Sequence, residues 1–269
     1  PERDGLCGFR NGMNCDFYLA RTPENELEGQ MRTSTDMAYT IVGGELQLNA
    51  WNHAALVFDG STLKLFLNAA LITTIPAEAT FTNTNSYFFL GRMAYDGTQF
   101  EFNGRLDDVG LWKRALTPAD IGCLAGGSPD LSDPDLLLFY RCDQGTPGGN
   151  NTSINELVDA IGNINGDLLN FNLNGNTSNF VEGPVFGSSV EATICPYGTF
   201  MQTGQALGAG TYAFTYTSIN GCDSFVTVTV EEDVLNVMVN PAPLSLTSMN
   251  PSASWQWLDC ENGFAEIPG

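Results

Sequence analysis

The sequence has one histidine, His53, and only two lysines, Lys64 and Lys113, among ten basic residues set against 31 acidic ones. His53 stands beside Trp51 in an apolar stretch, away from any serine or cysteine in a nucleophile elbow. With no second histidine, the serine-hydrolase, zinc-hydrolase and Cys-His mechanisms each lose a component, and the expected role of His53 is structural. So few cations cannot form a stripe that neutralises phosphates, which excludes nucleic acid as a partner. Long apolar runs are also missing, and no stretch approaches the roughly 18 to 20 residues of a bilayer-spanning helix. Pro1 opens the chain without an initiator Met or a leader pattern, so the expectation is an excised or processed segment whose export signal lies elsewhere. The glycine-rich stretches at Gly148-Gly149 and Gly204 to Gly210 lack a following Lys-Ser/Thr and a strand-helix-strand setting, which leaves nucleotide binding unsupported.

The seven cysteines, Cys7, Cys15, Cys123, Cys142, Cys195, Cys222 and Cys260, show neither C-x-x-C spacing nor neighbouring histidines. A zinc site is thereby disfavoured, and disulfides in an oxidising compartment are expected. Sequence proximity and module limits favour Cys7 with Cys15, Cys123 with Cys142, and Cys195 with Cys222, leaving Cys260 over.

What is present is β-rich: 43% hydrophobic residues, 15% charged, 29 glycines and many Asn, Thr and Ser. A length of 269 residues suits two or three modules. The formal charge of -21 keeps the chain soluble and draws divalent cations, of which calcium suits carboxylate and carbonyl oxygens. Ala54 to Phe58 and Leu63 to Leu67 alternate around the turn Asp59-Gly60-Ser61-Thr62 and predict a hairpin. Strands follow at Leu71 to Ile75, Tyr87 to Leu90, Phe100 to Phe102, Leu106 to Trp112 and Leu136 to Tyr140. Thr117-Pro118-Ala119-Asp120 starts one short helix, with Thr117 as its cap and Pro118 at its first position. Thr211 to Thr217 and Ser224 to Val230 form a further hairpin. The resulting division is 1–127, a loop-rich β extension over 128–187, a cysteine-looped β repeat over 188–233, and the start of a further repeat over 234–269.

Four ordered motifs carry a family resemblance: Trp51 to Asn68, Phe89-Leu90-Gly91-Arg92, Phe102 to Val109, and Trp112 to Ile121. Together they resemble the central hairpin and closing strands of laminin-G-like domains, which belong to the concanavalin-A-like jelly-roll superfamily. The fold class expected is therefore all-β, a jelly-roll sandwich followed by smaller β-sandwich or immunoglobulin-like repeats. Family members open with strands that would precede Pro1, so the jelly roll here reads as incomplete at its start. The segments Tyr140 to Val181 and Ile194 to Ser224 are similar to modules in large secreted proteins of Bacteroidetes-type bacteria. Trp255 to Cys260 resembles the first strands of an immunoglobulin-like repeat, which implies a downstream partner for Cys260.

The resemblance also implies calcium at a sandwich rim, with Asp107 or Asp108 matching a ligand. As neighbours on a predicted strand, these two aspartates would point to opposite faces and could not form the opposed pair of a glycosidase. Tyr95, Asp96 and Gln99 are weaker candidates for contacting a glycan from a rim loop. The functional expectation is a non-catalytic, secreted cell-surface adhesin or binding segment whose laminin-G-like domain recognises a glycan or a surface protein. The alternatives are a self-associating subunit of an extracellular filament and an accessory module of a carbohydrate-active enzyme.

Overall fold

The computed structural model describes residues 3–10, 16–33, 35–78, 87–95, 98–184, 188–194, 198–217, 223–233, 239–242, 245–248, 256–259 and 265–267. Its residues cluster into two units, Pro1–Gly187 with Thr215–Phe225, and Ser188–Phe214 with Val226–Gly269.

In the first unit the strands are β1 (Asp4–Phe9), β2 (Phe17–Arg21), β3 (Glu26–Arg32), β4 (Ala38–Glu45), β5 (Ala54–Phe58), β6 (Thr62–Leu67), β7 (Ala70–Pro76), β8 (Phe88–Leu90), β9 (Arg92–Tyr95), β10 (Thr98–Glu101) and β11 (Val109–Trp112). Helix α1 (Pro118–Leu124) and strands β12 (Leu136–Tyr140), β13 (Glu156–Leu157) and β14 (Gly166–Asp167) follow. One sheet has the order β4-β3-β2-β1-β8 and another has the order β5-β6-β7, while β11 pairs with β12 and β9 with β10.

The two larger sheets pack face to face because their strands alternate. Leu19, Leu27, Met31 and Ile41 of the first meet Leu63, Leu65 and Leu67 of the second, with Ala54, Leu56 and Phe58 packed against them. The intervening Val57 points the other way, joining Phe66 and Ile121 under α1. Period-two patterning thus gives β5 an inner face toward the first sheet and an outer face toward the helix. Leu56 comes so close to Gly29 that a Cβ at that glycine would lie 2.5 Å from Leu56 Cδ1.

The far face of the five-stranded sheet is polar yet buried. Arg10 Nη1 donates to Tyr18 Oη at 2.9 Å, and that hydroxyl lies 3.1 Å from Glu28 Oε1 and from Gln30 Oε1. Arg3 closes on Glu28 at 2.9 Å, while Asp16 is approached by Arg32 at 3.3 Å and by Gln30 Nε2 at 3.2 Å. Burial raises the Asp16 carboxyl, with Arg10 and Arg32 acting in the opposite sense. Glu28 and Gln30 alternate with Gly29 and Met31 along β3, and Arg10 and Asp16 cover them from elsewhere in the chain.

Helix α1 starts as expected, with Thr117 Oγ1 accepting from Asp120 N and Asp120 Oδ2 accepting from Thr117 N in a capping box. The expected strand over Leu106 to Trp112 is shorter, because Asp108 takes a left-handed backbone (φ 48°) that ends pairing before Val109. The stretch after Tyr140 is organised around side chains, since Asp159 accepts several main-chain amides and Asn151 bridges Thr146 and Asn179.

In the second unit, β15 (Ser188–Ile194) pairs in parallel with β19 (Asp223–Glu232), which also neighbours β18 (Gly210–Thr217); β16 (Phe200–Gln202) pairs with β17 (Gln205–Leu207). Val228, Val230, Ile194 and Leu207 form its small core. The pairs β20 (Val239–Ala242) with β21 (Ser245–Ser248) and β22 (Trp257–Asp259) with β23 (Ala265–Ile267) complete the elements. The turn expected at Ser218 to Gly221 lies outside the described residues.

The cysteines differ from expectation. Cys7 and Cys142 carry free thiols, so the pairs Cys7 with Cys15 and Cys123 with Cys142 do not form. Cys7 sits on β1, packed against the apolar core, and Cys142 packs against the cluster of Leu138 and Tyr140; burial pushes each thiol up to about 12. Cys123, on α1, is engaged in a disulfide. Cys15, Cys195, Cys222 and Cys260 lie outside the described residues.

Candidate functional site

Between the two facing sheets of the first unit lies a cavity of about 1450 Å³. Its apolar wall includes Leu6, Phe17, Leu56 and Leu111, and its polar lining includes Asn49, Asn52, Asn103, Arg105 and the aspartates 107 and 108. Trp51 also lines it and is 41% exposed, on the loop between β4 and β5 where Asn49 adopts a left-handed backbone (φ 58°). Asn52 holds that loop by accepting from Gln47 N and donating to the carbonyls of Gln47 and Ala50. An exposed indole beside amide side chains suits a ligand with alternating apolar faces and hydroxyl edges, as a sugar ring has.

Asp107 and Asp108 do not point to opposite faces of a strand. Both precede β11, and Asp108 N donates to Asp107 Oδ1 at 3.1 Å. Burial raises the Asp108 carboxyl to about 6, helped by the charges of Asp107 and Asp143 and opposed by Arg141. Asp107 is raised by burial as well. Its Oδ2 occupies the space a side chain would need at Gly183, so that glycine makes the approach possible. Among the described residues no three His, Cys, Asp or Glu side chains are arranged to hold a metal ion.

The remaining residues singled out from the sequence are placed as follows. Tyr95 and Gln99 fall on β9 and β10, which pair as a hairpin, but their side chains and the whole of Asp96 lie outside the described residues. His53 precedes β5 and lines the cavity with its Nδ1 buried, and burial lowers its pKa. Its backbone is tied to Asn68, whose Oδ1 accepts from His53 N at 2.8 Å. Asp59 accepts from Ser61, Thr62 and Lys64 at its hairpin tip, which makes it a turn residue. Trp51 is the residue whose exposure the sequence did not reveal, since its apolar neighbours read as core.

Residues 4–122 match the family model Laminin_G_3, described as the Concanavalin A-like lectin/glucanases superfamily. That segment is similar to the family, and the all-β class expected from the sequence holds across it. Among solved structures, the chain is similar to the CBM40 of the Ruminococcus gnavus IT-sialidase bound to alpha2,3 sialyllactose, at 26% identity and a TM-score of 0.33, over 38% of this chain and 63% of that one. It is also similar to an S-layer domain-containing protein from Clostridium thermocellum, at 20% identity and a TM-score of 0.26, over 46% of this chain and 63% of that one. In both cases the chain spans less than two thirds of the structure it matches. No curated protein matches the chain.

Proposed function

We propose that the chain is a non-catalytic carbohydrate-binding segment of a secreted or cell-surface protein, with Trp51 and the amide-bearing loop around it as the sugar platform. The carrying observation is the match of residues 4–122 to a family described by lectins and glucanases. Of those two activities, the lectin one suits the cavity. A glucanase needs two carboxyl groups facing each other across a bond, whereas Asp107 and Asp108 are chain neighbours, the Asp107 carboxylate accepting from the backbone N–H of Asp108. The disulfide at Cys123 and the acidic charge of -21 favour an extracellular setting, and no helix among the described residues is long and apolar enough to cross a membrane.

The test is a glycan array followed by titration calorimetry. Saturable binding to at least one glycan class is expected, with Trp51→Ala weakening it about tenfold through loss of roughly 1 to 2 kcal/mol of stacking while the fold persists. Silence across the array would sink the reading. Release of reducing sugar by the purified chain would replace it with an enzyme.

A further inference from the structure

The dipeptide Asn-Gly occurs six times in the chain, and three of these pairs, Asn103-Gly104, Asn165-Gly166 and Asn174-Gly175, fall within the described residues. Glycine has no Cβ to shield its nitrogen, so that nitrogen can attack the side-chain amide carbon of the asparagine before it and close a cyclic imide. Closure needs a side chain free to rotate and a backbone free to turn about the asparagine Cα–C bond. Asn165 donates from Nδ2 to Glu156 Oε2 at 3.1 Å and accepts from Asp159 N at 3.1 Å, and Gly166 is held in β14 opposite Leu157. Asn174 is bridged to Asn150, and the carbonyls of Asn174 and Gly175 accept from Asn172 Nδ2 at 3.0 Å and Asn179 Nδ2 at 2.8 Å. Asn103 differs from both. It is exposed on the connection between β10 and β11, and among the described residues neither its side chain nor any main-chain group from Asn103 to Leu106 has a hydrogen bond.

We propose that Asn103 is a self-modification site, which converts spontaneously to aspartate and isoaspartate on the lining of the cavity. Gly104 N forms a bond to Asn103 Cγ and gives up its proton, and the side-chain nitrogen leaves with that proton as ammonia. Water then opens the imide at either carbonyl. One opening leaves aspartate, and the other leaves isoaspartate, with the main chain routed through the side chain. Both end with a carboxylate where an amide stood, and the reaction consumes water alone. The new charge falls in a lining that already holds Arg105, Asp107 and Asp108. An amide there both donates and accepts, whereas a carboxylate only accepts, so the modification removes a hydrogen-bond donor from the cavity. Its consequence for ligands rests on the sugar-binding reading, while the chemistry at Asn103 stands apart from it.

The experiment incubates the full chain in mildly alkaline buffer and follows each Asn-Gly peptide over time by digestion and mass spectrometry, with aspartate and isoaspartate separated by chromatography. Asn103 is expected to give both isomers and to convert about tenfold faster than Asn165 or Asn174, the factor for having no hydrogen bond to break before the ring closes. In urea the three rates should come together. The proposal is overturned if Asn103 stays an amide in the folded chain, or if Asn165 or Asn174 converts there as fast. The same ranking in urea would also overturn it, by assigning the difference to sequence neighbours. Asn103→Gln, whose longer side chain closes a larger and slower ring, should abolish the conversion in that peptide with circular dichroism unchanged. It is preferred to Gly104→Ala because the Phe102 ring occupies the place of a Cβ at that glycine. Calorimetric titration of Asn103→Asp with the glycan bound by the unaltered chain reads the consequence. About tenfold weaker binding is expected, and equal affinity overturns the effect on the cavity. If the unaltered chain binds no glycan, the sugar reading fails by itself, and the mass mapping still decides the modification at Asn103.

Discussion

The carboxylate of Asp159 accepts the backbone N–H of Phe139 at 2.9 Å across twenty positions of sequence, fastening the loop after β12 to that strand. The same side chain takes the amides of Ile161, Asn163 and Ile164 at 3.2, 3.0 and 3.1 Å. Burial alone would raise this carboxyl, but the four amides outweigh it and hold it below the usual carboxylate range. Asp159→Ala leaves these donors without their acceptor and should cost about 3 kcal/mol in urea unfolding, with Asp159→Asn losing less. A depressed folded-state pKa contributes stability that is complete above the unfolded value of roughly 3.9 and lost as pH falls through the folded one. Wild type and the alanine variant should therefore converge in acid, and a constant gap down to the lowest pH would contradict the assignment.

Asp108 works in the opposite sense. Its folded carboxyl titrates at about 6 because burial and Asp107 disfavour its charge. A folded value above the unfolded one means that stability falls as pH rises from roughly 4 to 6. Asp108→Asn should flatten that slope and stabilise the fold at pH 7 by about 1 kcal/mol, the effect being reduced by solvent screening at this half-buried site. Asparagine tolerates the left-handed backbone there, so the exchange adds no strain. A variant less stable than wild type at pH 7 would refute this.

The thiols of Cys7 and Cys142 should resist iodoacetamide in the native protein and react fully in denaturant without reductant, because each is buried and pushed up to about 12. Peptide mapping under non-reducing conditions should leave both outside any bridge and Cys123 within one. Finding Cys7 or Cys142 cross-linked would contradict the structure.

Thr117→Ala removes one half of the capping box on α1 and should cost about 1 kcal/mol. Asp120→Ala should cost at least as much, since Asp120 Oδ2 also accepts from Arg114 Nη1 at 2.8 Å. Thermal melts of the two variants decide it, and an unchanged midpoint in both would show that the helix end does not contribute.

Local chemistry made much of the first unit legible. The alternation of Ala54 to Phe58 about Asp59-Gly60 and the cap at Thr117-Pro118 each depend on neighbours a few positions away, and each appears in the structure where expected. Strands β1 to β4 were not read as strands, because Glu28 and Gln30 look like surface residues until Arg10, Tyr18 and Asp16 are seen covering that face. The disposition of Asp107 and Asp108 was misread for a related reason: strand periodicity cannot anticipate a single residue that turns left-handed.

The sequence by itself determined the all-β class, the absence of a second histidine and of a cationic stripe, and the acidic character, since these follow from composition and short-range pattern. Tertiary structure alone decided that Cys7 and Cys142 stay free thiols, that Asp107 and Asp108 share a partly buried site, that Trp51 is partly exposed, and that β5 and β11 border one cavity with open edges. Thiol pairing, carboxylate repulsion and edge satisfaction depend on distances of a few ångströms between segments far apart in the chain, and no local pattern of residues encodes those distances.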